Sequence, residues 1–206
     1  MKELEYKYII RKDEALYIED CLVSPEDIIH TQNITHVNYY YDTKDNCLER
    51  VGATFRIREC AGRLEGTLKL HGKNTDALSL ELPVKVDEIS DKIILNGQEL
   101  YLLGSLYTQR KVIVLRNGMK LMIDWNKYLG TEDCELELEF TEENREQANA
   151  FDKLLDLNLT QYWMISGYDM SDIRNKHPLS KYERFMRRKR GLRTSEVNAS
   201  ISVKHG

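Results

Sequence analysis

The sequence predicts an α+β fold built on an eight-stranded antiparallel β-barrel, with a charged interior and helices packed on the outside. Three observations lead there. β-Branched and aromatic residues are frequent and only three prolines occur in 206 residues, a composition that favours sheet. Eight segments alternate apolar and polar side chains with the two-residue period of a strand. The polar member of that alternation is repeatedly ionisable, so most of the predicted strands present one apolar and one charged face.

The strands are expected at 2–10, 36–42, 52–60, 64–71, 78–85, 109–116, 119–126 and 133–141. Gly62-Arg63 and Asn117-Gly118 fall where hairpin turns are needed; an Asn-Gly pair between apolar strands predicts a type I′ turn. Ser24-Pro25-Glu26-Asp27 reads as an N-cap followed by proline at the first helical position. Residues 88–106 are read as helical, interrupted around Asn96-Gly97. Ala148, Phe151, Leu154 and Leu155 form the apolar stripe of a helix over 142–158. No linker divides the chain. Residues 1–186 form one predicted domain, and 187–206 a basic, then polar, disordered tail opening with Arg187, Arg188, Lys189 and Arg190.

Composition narrows the function. With 41% hydrophobic and 31% charged residues and a net charge of −4, the chain is neither disordered nor a generally nucleic-acid-binding surface. No segment reads as a transmembrane span or secretory signal, and a cytoplasmic location is expected. Cys21, Cys47, Cys60 and Cys134 lack C-x-x-C spacing and read as reduced thiols. The five histidines are scattered with no ligand-like pairing, which argues against zinc.

The charged faces carry the chemistry. Glu3, Glu5 and Lys7 share one face of the first strand, and Arg56 and Arg58 one face of the third. Lys69 lies beside Thr67, Glu81 between two leucines, Asp124 at the end of an apolar run, and Glu135, Glu137 and Glu139 in a row. Any one of these is an ordinary solvated strand face; their recurrence is what asks for a common interior. Eight antiparallel strands suffice to close a barrel. Charges inside one persist only when they compensate each other or are compensated by ions and ligands. Lys7, Arg56, Arg58, Lys69 and Arg110 suit phosphate oxygens. The carboxylates are hard ligands for Mg²⁺ or Mn²⁺. Together they are the groups of metal-dependent phosphoryl transfer.

These residues resemble the CYTH superfamily of triphosphate tunnel metalloenzymes. Its E-x-E-x-K signature is similar to Glu3-Leu4-Glu5-Tyr6-Lys7. Further matching elements follow in order: Tyr40-Tyr41-Asp42-Thr43, Leu48, Phe55-Arg56-Ile57-Arg58, Thr67-Leu68-Lys69, Glu81, Arg110, Asp124, the E-x-E run from Glu135, and Lys181. The likeness spans roughly residues 3–185. It implies a tunnel that threads a triphosphate, with Glu3, Glu5, Asp124, Glu135, Glu137 and Glu139 as the metal set. Two overlapping E-x-E pairs remain open, with Glu135 and Glu137 favoured. Lys7, Arg56, Arg58, Lys69, Arg110 and Lys181 would hold phosphate, with Lys111 and Arg116 as alternatives to Arg110. Lys7, Arg58, Glu81 and Lys181 would be catalytic. One departure is Ser79, where the family often carries arginine or another polar residue.

The resemblance implies a Mg²⁺- or Mn²⁺-dependent triphosphatase that hydrolyses the terminal phosphoryl group of inorganic triphosphate or a small organic triphosphate. A class IV-type adenylyl cyclase making cyclic AMP from ATP is the enzymatic alternative. A non-catalytic polyphosphate- or nucleotide-binding module is the third reading. The expected partner is a small-molecule triphosphate, with no membrane and no nucleic acid; monomer and homodimer both stay open.

Overall fold

A computed structural model describes residues 4–21, 23–70, 80–166 and 179–203, without the side chains of Cys21 and of 193–203. Nine strands form one antiparallel sheet: β1 (Leu4–Ile10), β2 (Ile28–Asp42), β3 (Ala53–Cys60), β4 (Arg63–Leu70), β5 (Leu80–Val84), β6 (Lys92–Leu95), β7 (Gln98–Leu115), β8 (Lys120–Tyr128) and β9 (Thr131–Phe140). Their order is β1-β9-β8-β7-β2-β3-β4-β5, with β6 paired to β7 off that path. Pro83 lies in β5, at the end of that order, the position in a sheet that tolerates proline best. The helices are α1 (Lys12–Cys21), α2 (Cys47–Arg50), α3 (Arg145–Ser166) and α4 (Lys181–Val203).

The chain packs as two compact units, Met1–Ile34 with Gln109–Asn126 and Glu132–Pro178, and Thr35–Thr108 with Lys127–Thr131 and Leu179–Gly206. In the first, the apolar faces of β1, β8 and β9 bury Tyr8, Ile10, Leu121, Ile123, Leu136 and Leu138 with Ile18 of α1 and Ala148, Leu155 and Leu159 of α3. Glu14 of α1 is buried and accepts hydrogen bonds from the Arg11 backbone N–H and the Trp163 indole of α3. In the second, Tyr41, Phe55, Ile57 and Leu100 form one core, and α4 seats Tyr182, Phe185 and Met186 on Tyr40, Leu106 and Tyr128 in another.

The segment read as a helix over 88–106 is instead the β6–β7 hairpin. Asn96 (φ 49°) and Gly97 (φ 79°) both lie in the left-handed region, as a type I′ turn requires. Ile93 and Leu95 pack on the core while Ile94 between them is exposed, the two-residue period of a strand in an apolar run whose polarity does not alternate. The Asn117-Gly118 hairpin exists, but only Gly118 has positive φ (84°). Its N–H bonds to the Leu115 carbonyl, and Leu115 N–H to Met119 O, which is the three-residue turn with a glycine bulge. Pro25–Asp27 makes a single 3₁₀ turn before β2 begins at Ile28. Helix α3 outlasts its predicted end, and Leu154 of the expected stripe is 46% exposed. The charge-rich α1 carried no sequence signal strong enough to place it, and α4 runs on through the basic segment from Arg187. Gly66 shows why β4 and β5 approach closely: a Cβ there would meet the Val84 carbonyl oxygen at 2.5 Å.

Candidate functional site

The first unit gathers acids. In the β1–β9 register Lys7 lies opposite Glu137, Glu5 opposite Glu139 and Ile9 opposite Glu135, so the two-residue period places these groups on one sheet face. Lys7 Nζ stands 3.0 Å from Glu137, 3.3 Å from Glu5 and 3.8 Å from Glu135. Arg110 donates from Nε and Nη2 to the two Asp124 oxygens, both at 2.7 Å, and from Nη2 to Glu137 at 2.7 Å. Carboxylate oxygens of Asp124, Glu135 and Glu137 lie within 4.8 Å of one another, and all three residues are buried.

Burial alone would lower the Arg110 pKa; the hydrogen bond and charge of Asp124, aided by Glu137 and Glu139, raise it instead. The guanidinium therefore stays charged. Glu139 is the outer member of the row and pairs with Lys120 at 3.4 Å. Lys120 was missed, although Lys120, Met122 and Asp124 share one strand face by simple alternation. Among the described residues, Glu5, Asp124, Glu135, Glu137 and Glu139 stand with Lys7, Arg110 and Lys120 in one ion-paired group. Hard oxygen donors grouped as those of Asp124, Glu135 and Glu137 could hold a divalent cation.

The two expected alternatives to Arg110 make other contacts. Lys111 points to the opposite face and pairs with Glu19 of α1 at 2.5 Å, and Arg116 donates to the Glu26 backbone carbonyl. Glu3 and Ser79 lie outside the described residues.

The second unit gathers bases. Arg56 pairs with Thr67 and Tyr40, and Arg58 with Asn38, across β2, β3 and β4, while Lys69 lies opposite Glu81. Lys69 Nζ is 3.1 Å and Arg56 Nη2 4.0 Å from Glu81. Burial would push the Glu81 carboxyl up, but the hydrogen bond and charge of Lys69, with Arg56 and Arg58, hold it below the ordinary glutamate range. The fully buried Tyr40 phenol is pushed up by desolvation, opposed by Arg56, Lys181, Arg58 and Arg184. Tyr40 is thus a neutral hydroxyl within the field of four cations. Arg184, one helical turn after Lys181, was not foreseen. Asp42 plays a structural part, since its carboxylate accepts the backbone N–H groups of Thr43, Leu48 and Glu49 and so caps α2.

A buried acidic group able to hold a cation, and a basic face on Arg56, Arg58 and Lys69, follow the order of the sequence motifs. The CYTH domain model matches residues 1–162. The chain belongs to the CYTH domain family. CYTH members are triphosphatases or class IV adenylyl cyclases, bind triphosphate substrates and use divalent metals. No curated protein matches the chain.

Among solved structures, it is similar to HpAC1 of Hippeastrum, provisionally named an adenylyl cyclase and described as having a dominant triphosphatase activity. That likeness has 20% identity and a TM-score of 0.59, covering 90% of this chain and 95% of the other. A Bacillus halodurans protein provisionally named an adenylate cyclase is similar at 22% identity and a TM-score of 0.58, covering 90% of this chain and 99% of the other. Both likenesses bear on the fold. No helix among the described residues is long and apolar enough to cross a membrane.

Proposed function

We propose that this CYTH protein is a divalent-metal-dependent triphosphatase that hydrolyses the terminal phosphoryl group of inorganic triphosphate or a small organic triphosphate. The observation that carries the reading is the buried Asp124–Glu135–Glu137 group, whose carboxylate oxygens lie within 4.8 Å of one another. Carboxylates so close in a folded interior are costly unless cations join them. Mg²⁺ or Mn²⁺ would be held by Asp124, Glu135 and Glu137, with Glu5, Glu139 and, from the signature, Glu3 completing the set. When bound, the metal supplies charge neutralisation at phosphate oxygens.

The chain's own residues do the rest. Arg56, Arg58, Lys69 and Lys181 bind and orient the phosphate chain, and that positioning is the main source of rate in phosphoryl transfer. Lys7 and Arg110 offset the charge of the carboxylates they pair with and so hold the acidic group together. Glu81, held ionised by Lys69, accepts a hydrogen bond from the attacking water and orients it; a carboxylate so stabilised is a weak base. In this reading the sheet closes into the family's tunnel.

The test is a panel of phosphate release from tripolyphosphate, thiamine triphosphate, ATP and GTP, each with Mg²⁺ and with Mn²⁺. Orthophosphate release that is abolished by chelation and by Glu137→Gln is expected. Cyclic AMP and pyrophosphate as the products from ATP would establish the cyclase instead. Metal-dependent binding without turnover would establish a binding module.

A further inference from the structure

We infer that the outward face of α3 is a docking surface for a second copy of this chain, and that the protein pairs through it as a two-fold dimer. None of the residues assigned above to metal or phosphate lies on that face. Helix α3 turns Ala148, Leu155, Leu159 and Trp163 inward. On its other side Leu154, Leu157, Met164 and Ile165 are 46%, 56%, 66% and 87% exposed. Leu154, Leu157, Gln161 and Met164 follow the 3-4-3 spacing that keeps side chains in one helical stripe, and Ile165 lies beside its end. Exposed apolar residues scattered singly are ordinary; a contiguous stripe marks an interaction site.

The chemistry of the stripe selects a second copy as its occupant. From Leu157 to Ser166 the helix carries no Asp, Glu, Lys, Arg or His, although a solvent-facing helix surface normally bears charge. A two-fold axis sets one patch against itself, so any charge near the axis meets its like. A face without charge is therefore what self-pairing requires, whereas a partner of different sequence is oriented by complementary charge. The area agrees. Taking roughly 120 Å² for a fully exposed side chain, the four leave about 300 Å² of apolar surface per copy. Interfaces are about 60% apolar, so a pair would bury roughly 1,000 Å² in all, the lower end of a specific contact. With the helices antiparallel and the axis near Leu157, Leu157 meets its own copy and Leu154 approaches the partner's Met164. Gln161 is the one polar member of the stripe, and a single polar residue in a helix–helix seam fixes its register.

Sedimentation velocity of the full chain, from low micromolar to submillimolar concentration, should show a monomer–dimer equilibrium, because an interface of this size is a weak one. Leu157→Glu and Met164→Glu should each weaken dimerisation at least about tenfold by setting like charges face to face. Both residues are exposed, so each variant should match the wild-type melting temperature at a dilution where the wild type is monomeric. Ile94→Glu is the control, since Ile94 is a similarly exposed apolar residue on β6; it should leave the equilibrium unchanged. In a Leu157→Cys chain a short bismaleimide should join position 157 to its own copy, with peptide mass mapping separating that link from any through Cys47 or Cys60.

A wild type that stays monomeric at every concentration overturns the dimer. A dimer that survives Leu157→Glu and Met164→Glu, or that Ile94→Glu breaks as readily, overturns its assignment to α3. Should a glutamate variant fail to fold, the Leu157→Cys chain decides alone, and absence of the 157–157 link overturns the pairing. All of these results leave the triphosphatase reading intact, since none of them reads phosphate release.

Discussion

Arg110→Ala is the perturbation with the largest expected consequence. The guanidinium is 16% exposed and makes charge-assisted bonds to a fully buried Asp124 and a nearly buried Glu137. Removing one partner of a buried ion pair leaves the other uncompensated, which costs roughly 3–5 kcal/mol. In a chain of this size each kcal/mol moves the melting temperature by about 2–4 °C, so the metal-free variant should melt roughly 6–20 °C lower. Arg116→Ala is the control, because Arg116 is exposed and donates to a backbone carbonyl; it should change stability by less than about 0.5 kcal/mol.

Metal should then stabilise the variant more than the wild type. The carboxylates that Arg110 occupies are those that would hold the cation, so the guanidinium and the metal compete. Free of that competition, the variant should bind Mn²⁺ more tightly and gain more melting temperature from it than the wild type. Metal at one hundred times its Kd contributes about 2.7 kcal/mol, enough to return much of the loss. Calorimetric melting with chelator and across a Mn²⁺ series reads both effects. A metal-free variant within about 1 kcal/mol of wild type would refute the buried-pair argument. Equal Mn²⁺ shifts in the two proteins would refute competition.

Other outcomes follow from named contacts. The Glu81 pKa is depressed on folding, so its stabilising effect is present above the unfolded value near 4.5 and lost as pH falls through the lower folded value. The stability gap between wild type and Glu81→Gln should therefore be constant near neutrality and shrink below about pH 4.5 in acid-unfolding curves. Burial, with Asp124 and Asp133, pushes the Cys134 thiol up to about 12; at pH 8 it should resist iodoacetamide in the native state while the partly exposed Cys47 and Cys60 react, as peptide mass mapping would show. Gly66→Ala should destabilise by about 1–3 kcal/mol in urea melts, because the new Cβ meets a β-strand carbonyl rather than a yielding side chain.

The alternation of charge was legible because a strand's period is two and needs no tertiary partner to be read. It placed Glu5, Lys7, Arg56, Arg58, Lys69, Asp124, Glu135 and Glu137 on charged faces, and their order matched the family. The helix expected at 88–106 failed on the same kind of evidence: Asn96-Gly97 is an Asn-Gly turn like the one recognised at 117–118, yet only the former adopts type I′. Local propensity names a turn; the strands that flank it choose its geometry.

What the residues by themselves determined is the sheet-rich body, the family and which side chains are chemically suited to metal or phosphate. What only tertiary structure decided is which charges meet. Arg110 rather than Lys111 or Arg116 reaches the carboxylates, because the neighbours are turned to Glu19 and to a backbone carbonyl. Glu135 and Glu137 rather than Glu139 join Asp124 in the buried group, because Glu139 sits farther out, beside Lys120. Coulomb energy depends on distance and burial, and neither quantity is written in the spacing of residues along a chain.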